Sequence, residues 1–343
     1  MSTHPATRNP FIVGSFVRGE DFFGRQGLLG DVLEGERQQI WVLGGRRLGK
    51  TSLLRELELR VQKSRETPFV ALYWDLQGSG DSRGLAETLL SSVEDSEPFS
   101  RATDLSVEDL ESLPIAEMLA TIVRRTVRSG WRLLLLLDEA EELLVVGRSD
   151  PAVLARLRRV LSRGPDVRTV LTATRLLARL DDEAALPTSP FLHGFIPPVY
   201  LTPLGLEEGR TLLARGGFDP ADAEVLLQRT ACHPFLLQLL ASRLFESRDL
   251  AATLEQITAD EMVANYFSVD FSTLEEGERA LLSQVAREGT STRRELSLAL
   301  GRTEDALEMP IYALSMLGYL KRDGEGWKLG SWLFERWLRR KVG

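Results

Sequence analysis

The chain has 343 residues, longer than one typical domain and long enough to bury a large core, so two or three packed units are expected. Apolar residues make up 43% and charged residues 27%, a globular balance that excludes a collagen-like, disordered or membrane-embedded chain. The formal net charge of -8 argues against a surface that grips nucleic acid as a whole, and a single cysteine, Cys232, excludes an intramolecular disulfide and a cysteine-rich zinc site.

From Met1 to Val13, His4, Pro5, Arg8 and Pro10 interrupt any apolar stretch, so no secretory signal is expected. The longest aliphatic run, Leu133 to Leu137, falls far short of the roughly 20 residues that span a bilayer. A cytoplasmic, reducing setting without membrane contact follows as the expectation, and the excess of arginine over lysine suggests a GC-rich bacterial genome.

Residues 1–36 form a segment ahead of the first strand. Gln38 to Leu43 is short, apolar and rich in strand formers, and it breaks into a glycine-containing loop followed by a helical pattern carrying Leu53, Leu54, Leu57 and Leu59. Further strands are predicted at Phe69 to Leu76, Leu133 to Leu137, Arg168 to Thr172 and Val199 to Leu201. Helices separate them, among them Ile115 to Arg128 and Pro151 to Arg163. Apolar strands without clean alternation, interleaved with helices, predict an α/β fold with a parallel sheet covered on both faces over residues 37–204.

From Gly205 the strands stop. Glu207 to Arg215, Ala221 to Thr230, Pro234 to Glu246 and Leu250 to Ala264 predict a helical lid over residues 205–270. The tail, residues 271–343, reads as three helices (274–288, 292–300 and 303–320), then KRDGEGWKLG as a β-ribbon with a turn. That is the order of a winged helix. No repeat of fixed period is present.

The chemistry begins at Gly44-Gly45-Arg46-Arg47-Leu48-Gly49-Lys50-Thr51, which satisfies G-x-x-x-x-G-K-[ST] between a predicted strand and a predicted helix. Glycine lets successive N–H groups converge on phosphate oxygens, and the helix N-terminus adds partial positive charge. Gly44 to Ser52 would therefore cradle the phosphates of a nucleoside triphosphate, ATP with Mg²⁺. Lys50 would reach the β- and γ-phosphates and Thr51 would ligate the metal. The bland alternative is a strand-to-helix turn that is glycine-rich by chance.

Leu133 to Leu137 ends in Asp138 and Glu139, as a Walker B strand does. Ligands gather at the carboxyl ends of parallel strands, so Asp138 would hold Mg²⁺ directly or through water and Glu139 would polarise the attacking water. The alternative is helix N-capping before Ala140 to Leu144; Glu141 and Glu142 read as the solvated face of that helix. Arg175, at the end of the Arg168 strand, is the candidate to stabilise or sense the γ-phosphate, or else an ordinary surface arginine opening a helix over Leu176 to Leu180.

Together, FFGR (Phe22 to Arg25), GGRRLGKT, LLLLLDEAEEL, TATR and CHPFLLQLL (Cys232 to Leu240) resemble the STAND branch of the AAA+ P-loop ATPases, from Asn9 to the winged-helix-like end. The resemblance implies that Val17, Phe22, Phe23, Gly24 and Arg25 wrap the adenine, and that His233 and Pro234 touch base and β-phosphate. Cys232 stands where that family commonly has glycine, and Gln26 where it commonly has glutamate. Phe23 also fits a hydrophobic staple, and His233 a helix-start residue satisfied by backbone.

The resemblance further implies an ATPase of slow turnover, a switch closed with ADP and open with ATP, and a winged helix that faces protein. The partner would be a separately encoded protein, with a nucleotide-dependent homo-oligomer compatible with the pattern. A DNA-associated loader or regulator is the second reading. It is disfavoured by the helix that would enter the groove, which offers Glu304, Asp305 and Glu308, then apolar residues. Lys321, Arg322, Lys328, Arg336, Arg339, Arg340 and Lys341 could touch a phosphate backbone or form a solvated face. Trp327, Trp332, Phe334 and Trp337 could anchor a partner or fill the core of the tail. A degenerate module that holds nucleotide permanently is a third reading, opposed by Lys50, Thr51, Asp138 and Glu139 occurring together.

Overall fold

The structure is a computed structural model that describes residues 8–184 and 190–342. The expectation of no secretory signal rests partly on His4 and Pro5, which lie outside the described residues. The chain divides into two compact units, one of residues 16–44 and 50–199, the other of residues 1–15, 45–49 and 200–343.

The first unit opens with a short 3-10 turn at Gly19–Asp21 and α1 (Gln26–Glu34), then follows β1 (Gln39–Leu43), α2 (Lys50–Lys63), β2 (Phe69–Asp75), α3 (Ser82–Glu94) and α4 (Glu97–Thr103). After α5 (Ile115–Arg128) come β3 (Arg132–Asp138), α6 (Glu142–Ser149), α7 (Pro151–Leu161), β4 (Val167–Ala173), α8 (Leu180–Glu183) and β5 (Val199–Tyr200). The sheet order is β2-β3-β4-β1-β5, and the pairs β2–β3, β3–β4 and β4–β1 are parallel. A parallel sheet covered by helices needs strands that are apolar on both faces, and Leu133 to Leu137 meet that need with no more than 2% exposure each. Helix α2 packs on β2, β3 and β4, α3 and α4 on β2, α5 on β3 and α7 on β4.

A buried arginine ties α1 to the sheet of this unit. Arg168 on β4 is 2% exposed and donates Nη1 to the carbonyls of Val32 and Leu33 and Nη2 to that of Gly35. These carbonyls close the C-terminal end of α1, where a helix lacks internal partners and favours a cation. Burial and the neighbouring Arg132 pull the Arg168 guanidinium below its ordinary value.

The second unit holds α9 (Leu206–Ala214), α10 (Pro220–Thr230), α11 (Pro234–Ser247), α12 (Leu250–Thr258) and α13 (Glu261–Ser272). Then follow α14 (Glu276–Glu288), α15 (Arg293–Leu300), α16 (Glu304–Met316), the antiparallel hairpin β6 (Leu320–Asp323) and β7 (Gly326–Leu329), and α17 (Trp332–Val342). Residues 9–12 lie along α11: Asn9 Nδ2 donates to Ser242 Oγ at 2.9 Å, the Ile12 N–H donates to Gln238 Oε1 at 2.9 Å, and Phe11 stacks on Phe218.

Two predicted helices are corrected. Leu250 to Ala264 is not continuous, because Asp260 breaks it and caps α13, accepting the N–H groups of Met262 and Val263. Helix 303–320 stops at Met316, where Gly318 at φ 82 turns the chain into the hairpin. The tail's aromatics fill this unit's own core: Phe334 and Trp337 pack against Phe267 of α13, with ring centroids 5.4 and 5.7 Å away. Among the described residues no helix is long and apolar enough to cross a membrane.

Candidate nucleotide site

The glycine-rich loop joins the end of β1 to the start of α2. Its first amide, Gly44 N–H, donates to the Ala173 carbonyl at 3.1 Å and fixes the loop to the end of β4. Gly49 takes φ 97, open to glycine at no steric cost, whereas Arg47 takes φ 58 and is strained. Lys50 is 6% exposed, and its Nζ donates to the Gly44 carbonyl at 3.3 Å, so the cation lies back over the loop. Thr51 and Ser52 follow in the first turn of α2. The Ser52 hydroxyl accepts the Val17 N–H at 3.1 Å, and Glu56 on the next turn accepts the Gly19 N–H at 2.7 Å. Thus the segment before the first strand is tied to the helix that follows the phosphate loop. Phe22 closes the 3-10 turn, Phe22 to Arg25 are half-buried, and Gly24 and Arg25 both take positive φ immediately before α1.

The acids stand at the carboxyl end of β3. Asp138 is 1% exposed, and its carboxylate is held on both oxygens. Tyr73 of β2 donates its hydroxyl to Oδ2 at 2.9 Å, while the Thr172 hydroxyl of β4 and the Glu139 N–H donate to Oδ1. Burial, then the Asp138 and Asp75 carboxylates, push the Tyr73 phenol well above its ordinary value of 10, so it remains a donor. The Arg55 guanidinium lies 3.4 Å over the Tyr73 ring and pairs with Glu58.

Neither acid caps a helix here. Helix α6 starts at Glu142 with Glu141 before it, and Glu139 turns at φ 50. Glu141 departs from its expected solvated position: it accepts the Thr174 N–H at 2.8 Å and joins the ends of β3 and β4. Arg175 opens the 3-10 turn Arg175–Arg179 directly after β4, the strand between β1 and β3.

Loop residues 45–49 group with the second unit, where they meet polar groups that sequence reading missed. The Arg46 N–H donates to Asp270 Oδ1 at 3.2 Å, and the Tyr319 hydroxyl donates to Asp270 Oδ2. Tyr266 donates its hydroxyl to the Arg46 carbonyl at 3.4 Å and also lies 3.1 Å from His233 Nε2. The Arg47 guanidinium sits 4.3 Å over the Phe235 ring. Arg46, His233, Tyr266, Asp270 and Tyr319 line one cleft of this unit. His233 is the residue before α11 and Pro234 its first, so His233 is a helix-start residue whose ring also reaches a side chain. Cys232 takes φ 55, the left-handed region that favours glycine.

The donors suit a hard divalent cation. Thr51 and Asp138 offer hydroxyl and carboxylate oxygens, and no group of three or more His, Cys, Asp or Glu that could hold a metal occurs among the described residues. Such a set suits an ion bound through one or two protein oxygens, phosphates and water.

A family model described as "AAA domain" matches residues 34–180, from before β1 to the start of α8. Among solved structures, the chain is similar to a Walker-type ATPase of Pyrococcus abyssi, at 18% identity, TM-score 0.71, and coverage of 96% of this chain and 99% of that one. It is also similar to the Aeropyrum pernix ORC2 protein in ADPNP-ADP complexes, at 16% identity, TM-score 0.53, and coverage of 92% and 89%. No curated protein sequence matches the chain. At these identities the structural likenesses establish the fold, and the matched segment contains the phosphate loop and the acid-ended strand. The chain has the fold of a P-loop ATPase, and its residues 34–180 match the AAA domain model.

Proposed function

We propose that the chain is a STAND-like switch: ADP favours a closed form, ATP with Mg²⁺ an open one, and slow hydrolysis resets the cycle. The observation that carries this reading is the grip on the phosphate loop. The Arg46 peptide gives its N–H to Asp270 and its carbonyl to the Tyr266 hydroxyl, and Tyr319 holds Asp270 in turn. Groups that touch the loop backbone can respond when its phosphates change, and only such differential contact can shift a conformational equilibrium.

In this reading Gly44 to Ser52 cradle the phosphates, Lys50 reaches the β- and γ-phosphates, and Val17, Phe22, Phe23, Gly24 and Arg25 enclose the base. His233 and Pro234 add contacts to base and β-phosphate from the helical lid. Thr51 and Asp138 hold Mg²⁺, which when bound neutralises phosphate charge. Glu139 orients and polarises the attacking water, and Arg175 meets the charge that develops on the γ-phosphate. The positive φ of Glu139 supports a role there, because strain of about 1–3 kcal/mol at a strand end is often kept for function.

Residues 271–343 act as a winged helix that faces protein, and the output is a separately encoded cytoplasmic partner or a homo-oligomer. The DNA-associated alternative would need α16 to face phosphates, yet its exposed residues, Glu304, Asp305, Ala306, Glu308, Met309 and Tyr312, are acidic or carry no base-reading group apart from one phenol. The test is hydrogen exchange across residues 266–272 and 317–331 with ADP and with ATP, using Glu139→Gln to hold ATP. Faster exchange with ATP than with ADP is expected, and equal exchange would remove the switch.

A further inference from the structure

We propose that Tyr73 is a positioning residue for the metal site: with Thr172, it aims one remaining acceptor position of the buried Asp138 carboxylate. This rests on the reading of Asp138 as the acid that serves the metal.

A carboxylate has about four acceptor positions. At Asp138, Oδ1 takes the Thr172 hydroxyl and the Glu139 N–H, and Oδ2 takes the Tyr73 hydroxyl at 2.9 Å. One position, on Oδ2, is left for a cation or a water bound to it. Sheet register creates the arrangement. Leu137 pairs with Leu171, so Thr172 stands opposite Asp138, while Tyr73 pairs with Leu136, two residues back on the Asp138 face. Tyr73 is held in place, because the residue is 8% exposed and its ring lies under the Arg55 guanidinium. Removing either hydroxyl leaves the buried Asp138 carboxylate free to rotate, so its single aimed acceptor is lost.

Outer partners of metal ligands typically contribute about 10–100-fold to metal affinity. The test uses the full chain carrying one equivalent of bound ADP, titrated with Mn²⁺ while free Mn²⁺ is followed by electron paramagnetic resonance. Tyr73→Phe and Thr172→Val are each expected to weaken Mn²⁺ binding by about 10–100-fold. Thr172→Ser, which keeps the hydroxyl, restores it, and ADP affinity measured in EDTA stays at the wild-type value in all three. A merely structural role would lower the EDTA affinity as well, and that result overturns the proposal. Wild-type Mn²⁺ binding by Tyr73→Phe, with binding lost in Asp138→Asn, also overturns it while leaving the metal reading intact. Wild-type binding by Asp138→Asn removes the metal reading and the proposal together.

Discussion

Tyr319→Phe tests the grip on the phosphate loop with the loss of a single oxygen. Tyr319 is 8% exposed and Asp270 4%, and the hydroxyl donates to Asp270 Oδ2 while Oδ1 accepts the Arg46 N–H at 3.2 Å. The phenylalanine ring keeps its packing on Phe334, whose centroid lies 5.5 Å away, so no cavity of consequence forms. A hydrogen bond to a charged group contributes about 1.5–3 kcal/mol, and in a domain of about 150–250 residues each kcal/mol moves the melting temperature by about 2–4 °C. The nucleotide-free variant should therefore melt about 3–12 °C lower in scanning calorimetry. If the bond stabilises the closed form, the variant also binds ATP at least as tightly as wild type, because the competent form is more populated. Unchanged melting would refute the bond, and weakened ATP binding would refute its assignment to the closed form.

Glu139→Gln should bind ATP normally and release little phosphate, and undiminished release in a steady-state assay would remove Glu139 as the water activator. At Asp260, burial would raise the carboxyl, but the Arg243 guanidinium and the N–H groups of Val263 and Met262 outweigh it and hold the group below its ordinary 3.8. Its stabilisation is thus present above 3.8 and is lost as pH falls through the lower folded value. Asp260→Asn keeps a helix cap but loses the Arg243 pair, so its melting deficit should be constant near neutrality and vanish in strong acid. A deficit that grows as pH falls would contradict that sign.

The parts legible in the sequence were local ones. Gly44 to Thr51 has fixed spacing within one loop, and Leu133 to Glu139 announces its acids at the end of a single apolar strand, so each could be read without knowing what lies beside it. Tyr73 and Thr172 were not legible, because their meaning comes from parallel register between strands 34 to 65 residues away from Asp138. A hydroxyl near the end of each apolar strand, in FVALYWD and VRTVLTA, was the available signal. Asp270 and Tyr319 were hidden for the same reason, their partners lying 224 and 49 residues away. Glu141 looked solvated on helical spacing until the Thr174 N–H met it. Apolar periodicity runs past Asp260 and predicts one helix over Leu250 to Ala264, but the Asp260 side chain prefers to cap.

Under the proposed function, Gly44 to Thr51, with Lys50 at its cationic end, holds the phosphates of ATP. Calorimetric titration of ATP with Mg²⁺ into the full chain and into Lys50→Ala tests it most directly. Saturable binding by the wild type and none by a folded Lys50→Ala is the predicted result, and equal affinity in the two proteins would contradict it.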